Sequence, residues 1–171
     1  MTASTLNTSA QAEVAKDQST QESQTSLDWL QAGHTAGITG GANGIGRAAA
    51  EIFLANGMQV VIADNNAEAL AAAAEDLHAY QDRLEVMTCD VSNYAQVCRL
   101  RDRAFERFAS VDCLMNNAGA AVTRALPWDD LDGWKKQLDI NLWGILHGCH
   151  AFVPALIAQE QIGRAVQQEC R

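Results

Sequence analysis

Thr39-Gly40-Gly41-Ala42-Asn43-Gly44-Ile45-Gly46 stands between two stretches of different periodicity. Thr35 to Thr39, before it, has the length and character of a short buried strand. After it, Ile45, Ala48, Ala49, Ile52 and Phe53 recur at helical spacing, which predicts a helix with those side chains turned inward and a stop near Asn56-Gly57. Glycines in a strand-to-helix turn let the chain bend tightly and let a pyrophosphate approach the free N–H groups and positive dipole end of the helix. The following strand, Gln59 to Asp64, closes on a carboxylate 18 residues beyond Gly46, the expected place of a ribose ligand. A carboxylate there accepts a 2′-hydroxyl and repels a 2′-phosphate, and Asn43 brings no positive charge to the loop, so NAD is expected over NADP.

The same alternation continues outward. Ala67 to Tyr80 reads as an Ala-rich helix with Leu70, Ala73, Ala74 and Leu77 on one side, and Leu84 to Cys89 as a third strand. Ser92 is placed to cap a helix burying Val97, Leu100, Ala104 and Phe108, with Arg99, Arg101, Arg103 and Arg107 as a solvated face. Val111 to Asn116 is the fourth strand. A long helix from about Leu131 to Gln159 would turn Trp134, Leu138, Leu142, Ile145, Cys149 and Leu156 inward, with Pro154 kinking or weakening it because its nitrogen cannot bond the His150 carbonyl. Strands alternating with crossover helices imply an α/β, Rossmann-like, doubly wound parallel sheet, here read as truncated after about four strands.

A chain of 171 residues with 48% hydrophobic residues suits one domain, assigned to residues 30–160. Residues 1–28, dominated by Thr, Ser, Gln and Ala, are expected to be a disordered tail or an upstream extension from a wrongly chosen start codon. They lack the apolar core of a secretory signal and the arginines of a transit peptide. A formal charge of −9 without a basic block argues against charge-driven binding to nucleic acid or an anionic membrane. The longest apolar stretch, Gly144 to Ala158, is shorter than the ~18 residues of a membrane span, and none is expected. Five cysteines, odd in number and without a C-x-x-C pair, fit reduced thiols and a cytoplasmic location. His147 and His150 stand three apart on the last helix, but nothing elsewhere completes a zinc set, and no metal site is expected. Trp128, Trp134 and Trp143 read as packing residues.

Four ordered elements carry a resemblance to the short-chain dehydrogenases/reductases: the T-G-x-x-x-G-x-G loop at Thr39–Gly46, Asp90-Val91 after the third strand, Asn116-Asn117-Ala118-Gly119 after the fourth, and Asn141 within Asp139-Ile-Asn-Leu-Trp-Gly144. The resemblance covers about residues 30 to 160. It implies that Gly40, Asn43, Gly44, Ile45 and Gly46 hold the pyrophosphate and neighbouring ribose, Asp64 the adenosine ribose, Asp90 and Val91 the adenine, and Asn117 the adjacent ribose region. Plainer readings stand beside these: Asp90 as a loop cap, Asn116 and Asn117 as turn formers, Asn141 as a backbone-bonding helix residue.

The family's hydride-transfer chemistry uses a serine on the fifth strand and then Tyr-x-x-x-Lys. After Asn141 this chain has no Ser, Tyr or Lys, so Asn141 would be a vestige and the chain inactive alone. Gln159 to Arg171 is too polar for a central buried strand. Residues 161–171 are therefore assigned to an atypical tail, as a frameshift, an early stop or an alternative transcript end would produce. The fourth strand is then expected to be an exposed edge that invites pairing with a second copy or a complete relative, and a non-catalytic interaction module is the alternative function. Gly37, where a large aliphatic residue is expected, would leave unfilled space.

Overall fold

The computed structural model describes residues 30–159 and 164–167. Residues 1–28, expected to be a tail, and Cys170 lie outside the described residues. Five parallel strands, β1 (Thr35–Thr39), β2 (Gln59–Asp64), β3 (Leu84–Thr88), β4 (Cys113–Asn116) and β5 (Arg164–Gln167), form one sheet in the order β3-β2-β1-β4-β5. The helices are α1 (Gly44–Ala55), α2 (Ala67–Asp76), α3 (Tyr94–Phe108), α4 (Leu131–Leu138) and α5 (Gly144–Ala158), with a 3-10 turn at His78–Tyr80 and a π turn at Asp139–Trp143. This is the Rossmann-like, doubly wound α/β architecture.

Because side chains alternate across a strand, β2 serves two cores. Val60 and Ile62 join Ile38, Ala50, Leu54, Leu70, Ala73 and Leu77 on the side of α1 and α2. Val61 and Ala63 join Val97, Leu100, Ala104, Leu114, Ala151, Phe152 and Leu156 on the side of α3 and α5. The buried face of α3 is the one its spacing predicts, although Asn93 rather than Ser92 caps it: the Asn93 side chain accepts from Gln96 N at 3.3 Å, while Ser92 turns back to Asp90. Three arginines of its outer face pair with acids: Arg103 with Glu85 at 2.8 Å and Glu106 at 3.0 Å, Arg107 with Glu85 at 3.7 Å, and Arg101 with Asp102.

Two helix faces differ from the expected ones. In α1 the buried residues are Gly46, Ala50 and Leu54, while Ile45 and Ile52 are 59% and 54% exposed. The sheet meets this helix along Gly46, Ala50 and Leu54, one position on from the predicted face of Ile45, Ala48, Ala49, Ile52 and Phe53. In the last helix the π turn inserts an extra residue into the turn and rotates everything beyond it. Beyond it Gly144, Gly148, Ala151, Phe152 and Leu156 face inward; Leu142 within the turn is 49% exposed, and Leu138 just before it is exposed to the same extent. α5 continues through Pro154 to Ala158, because Pro154 and His150 both lie on the exposed side, where water can satisfy the freed carbonyl. From Leu131 to Ala158 the helical run is long and apolar enough to cross a membrane by length and composition. Its Gly144–Ala158 part packs on β4 and β5, with Gly144, Gly148 and Ala151 buried.

Residues 164–167 overturn the expectation that β4 is the last strand. They pair in parallel with β4, Cys113 opposite Arg164 and Asn116 opposite Gln167, so the edge moves outward to β5. The polarity rule concerns central strands covered on both faces; the backbone groups of β4 bond an edge partner whatever side chains it carries. Gln159 extends the same dock, its Nε2 donating to Val111 O at 2.8 Å and its Oε1 accepting from Val111 N at 3.0 Å. Gly37 leaves no void either. A Cβ there would lie 3.7 Å from Leu114 Cδ1 and 3.8 Å from Phe152 Cε1, so these two side chains already fill the space of a large aliphatic and leave room for one methyl.

Candidate functional site

The chain runs from β1 outward to β2 and β3, then returns across the sheet to β4 on the other side of β1. A reversal of this kind separates the loops at the carboxyl ends of the strands and opens a crevice between them. Gly40 lines the crevice after β1, Asp64 and Asn65 after β2, Cys89, Asp90 and Val91 after β3, and Ala118, Gly119 and Ala120 after β4. Ile140 of the π turn closes one side.

The glycines of the first loop divide by purpose. Gly40 has φ +65°, and a Cβ there would stand 2.8 Å from the Ala118 Cα. At Gly46 a Cβ would run into the Gly40 carbonyl oxygen and lie 2.5 Å from Asn117 Nδ2. Those two positions serve the protein's own packing. Gly44, with φ +54°, is different: nothing lies within 4 Å of its Cβ position. Asn43 before it is extended and gives α1 no side-chain cap, so the first N–H groups of the helix keep their donors for something else. Asn43, Gly44 and Ile45 are all exposed. Open space above uncapped helix amides fits an anionic pyrophosphate.

Asp64 holds this loop from the end of β2. Its Oδ2 accepts from Ala42 N at 3.3 Å and its Oδ1 from Asn66 N at 3.1 Å, which orients the carboxylate into the crevice. The positive charge nearest in sequence, Arg47, is turned to Asp76 at 3.3 Å. Asp90 Oδ1 accepts from Ser92 N at 2.9 Å and Ser92 Oγ at 2.7 Å, and its own N–H donates to Gln96 Oε1 at 3.0 Å. The loop-cap reading of Asp90 is therefore correct for one oxygen, while the residue also lines the crevice. Burial and the neighbouring Asp90 charge push the Cys89 thiol up to about 11, so it presents an uncharged group to the crevice.

Asn117 acts through the loop. Its Nδ2 donates to Thr39 O and Gly40 O, both at 3.0 Å, and the N–H groups of Asn117 and Ala118 both donate to Thr39 Oγ1 at 3.1 Å. β1 and β4 are thus clipped together just below the crevice. Asn141 is clipped as well: Oδ1 accepts from Ala120 N at 2.8 Å and Nδ2 donates to Ala120 O at 3.0 Å. The π turn presents this amide to the loop after β4, so Asn141 bonds backbone, as its plainer reading held. Of the sequence-derived residues, Gly40, Asp64, Asp90 and Val91 line one crevice and Asn43, Gly44 and Ile45 make the exposed helix start beside it. Gly46, Asn117 and Asn141 support the surrounding loops. Thr39, which opens the glycine motif, and Asn65, Gln96 and Ile140, which no motif marks, belong to the same arrangement. Trp128 and Trp143 are 78% and 51% exposed rather than packed, whereas Trp134 Nε1 donates to Ala125 O at 2.9 Å.

Residues 34–168 match the sequence model of the short chain dehydrogenase family. The chain belongs to the short-chain dehydrogenase/reductase family. It is 41% identical over 119 residues to a protein of Eggerthella lenta named 3beta-hydroxysteroid dehydrogenase 2, covering 68% of this chain and 45% of that one. It is 35% identical over 135 residues to the 1-deoxy-11-beta-hydroxypentalenate dehydrogenase of Streptomyces avermitilis, covering 78% and 50%. A crystal structure of a short-chain dehydrogenase/reductase from Burkholderia phymatum in complex with NAD superposes with a TM-score of 0.76 at 34% identity, covering 81% of this chain and 49% of that one. This family member therefore spans about half the length of the curated relatives it matches.

Proposed function

We propose that this chain is the adenosine-side, NAD-binding part of an oxidoreductase that interconverts an alcohol and a carbonyl, and that by itself it binds NAD without transferring hydride. The observation that carries the binding reading is the open space over Gly44 at an uncapped helix start, beside the crevice that Asp64 lines. Asn43, Gly44, Ile45 and the loop held by Gly40 and Gly46 would receive the pyrophosphate. Asp64 would accept from the ribose 2′-hydroxyl and repel a 2′-phosphate, favouring NAD over NADP. Asp90 and Val91 would bound the adenine, and Asn117 would hold the glycine loop in place for the ribose region. When bound, nicotinamide supplies the hydride acceptor. Asn141 keeps the loop after β4 closed against the helix, and the 171 residues themselves hold no Ser, Tyr or Lys after it to position and protonate a substrate oxygen. Absence of general acid–base help alone costs about 10²- to 10⁴-fold in rate.

Non-catalytic association with a complete relative is the second reading. The exposed line Leu138, Leu142, Trp143 and Leu146 favours it, and the sheet edge at β4 no longer does. Reduced thiols at Cys89, Cys98, Cys113 and Cys149 support a cytoplasmic location. Calorimetric titration of the purified chain with NAD and NADP, run beside absorbance of NADH with a panel of alcohols, tests the proposal. NAD binding that Asp64→Ala weakens about tenfold while narrowing the NAD/NADP ratio is expected, without NADH formation. No binding, or turnover by the chain alone, overturns it. NADH formation only after mixing with a complete relative would favour the association reading.

A further inference from the structure

Val91 is held from two sides by the last helix. Its carbonyl oxygen lies 2.8 Å from His147 Nδ1, 56 residues further along the chain. Its side chain is pressed on Gly144, where a Cβ would approach Val91 Cγ2 to 2.7 Å. The other side-chain anchors of the loop after β3 are local: Gln96 to Asp90 N, and Asp90 to Ser92. These fix the shape of the turn, whereas the contacts at His147 and Gly144 fix where the turn sits relative to the sheet and the π turn. Val91 is 7% exposed and lines the crevice, so a shift of its backbone changes the wall that a base would rest against.

We propose that His147 is a positioning residue for the base-binding end of the crevice, acting through an Nδ1–H bond to the Val91 carbonyl. The inference rests on the reading of the crevice as an adenosine site. Since a carbonyl can only accept, Nδ1 must carry the proton, and the neutral ring must be the Nδ1–H tautomer. The ring is kept in that orientation by Tyr94 and Trp143, whose centroids lie 5.5 and 6.2 Å from its own. Without the donor, a nearly buried carbonyl loses its partner and the loop is free to turn it toward water. The consequence falls on the base end alone, because the glycine loop and Asp64 are held by Asn117, Thr39 and Ala42.

The test uses the full chain with His147→Leu, which removes the donor, and His147→Asn, whose Nδ2 reaches where Nδ1 stands. Calorimetry with NAD, AMP and nicotinamide hypoxanthine dinucleotide is expected to show about tenfold weaker binding of NAD and AMP to the Leu variant. Its preference for adenine over hypoxanthine is expected to fall, and the Asn variant to bind within about twofold of the parent. A purely structural role would lower the melting temperature without moving the adenine/hypoxanthine ratio, and an unmoved ratio overturns the proposal. Two-dimensional nitrogen NMR of the parent chain at about pH 8.5, well above the ordinary imidazole pKa of ~6.5, reads the tautomer even if the Leu variant does not fold. An Nε2–H tautomer at His147 also overturns it. A parent chain that binds neither NAD nor AMP overturns the adenosine reading itself, whereas equal binding by parent and both variants removes only His147.

Discussion

Gly46→Ala and Gly44→Ala, two positions apart in one loop, should fail in different ways. At Gly46 the new methyl meets the Gly40 carbonyl oxygen and Asn117 Nδ2, both of which are already bonded to each other at 3.0 Å. Neither is the free end of a flexible side chain: one is backbone, and the other is tied also to Thr39 O. Relief of the clash breaks the two Asn117 bonds, about 1 kcal/mol each, and adds about 1 kcal/mol or more of overpacking. The sum, about 3 kcal/mol, is a large part of a stability on the order of 5–15 kcal/mol, and lowers the melting temperature by about 6–12 °C for a domain of this size. At Gly44 nothing is struck, and the cost is the left-handed backbone of an alanine, about 1 kcal/mol, or roughly 2–4 °C. Yet the methyl projects into the space assigned to the pyrophosphate, so Gly44→Ala should lose NAD affinity about 100-fold or more, well beyond its loss of stability. Urea unfolding followed by circular dichroism, with NAD titration of each folded variant, separates the two. A Gly44→Ala chain that binds NAD like the parent, or a Gly46→Ala chain as stable as the parent, would refute this division of the loop.

Gly37→Ala should stabilise the chain by about 0.5–1 kcal/mol, because the methyl fits at ordinary contact distance from Leu114 and Phe152 and the unfolded chain loses freedom; a lower urea midpoint would show that the site has no room. Burial, reinforced by Asp112, pushes the Cys113 thiol up to about 12, so timed iodoacetamide labelling near pH 8 should reach the partly exposed Cys98 and Cys149 well before Cys113 or Cys89, and early labelling of Cys113 would contradict that burial. A Thr123 hydroxyl bond and the Gly133 N–H hold the Asp130 carboxyl below its usual range. Its contribution is therefore complete above the unfolded carboxylate pKa of ~3.9 and is lost as pH falls through the lower folded value. Asp130→Asn should flatten that acid limb of the melting-temperature profile, and an unchanged limb would place the dependence elsewhere.

The parts of this chain that were legible in its sequence are those in which one period governs a whole element. β1 and β2 have the predicted bounds because both are inner strands, paired on each side and covered on both faces, and α3 buries the four residues its spacing names because one regular face of it meets the core. The loop and Asp64 were legible for a related reason: positive φ, an uncapped helix start and a strand-ending carboxylate are local requirements, written locally. What the sequence concealed is relational. A π turn leaves no mark in composition, yet it leaves Leu142 outside the core and turns the Asn141 amide onto Ala120. Four residues of a largely polar stretch become β5 because β4 offers them an unpaired backbone, which side-chain polarity cannot report. His147 carries the same lesson into the site. Nothing in its neighbours marks it, and its role is visible only when the helix is laid against the carbonyl of a residue 56 positions earlier. In a fold whose crevice is assembled from the ends of separate strands, residues that touch the ligand sit in recognisable loops. Residues that decide where those loops stand lie on whichever helix passes beneath them, and their identity follows from the crossing, not from the motif.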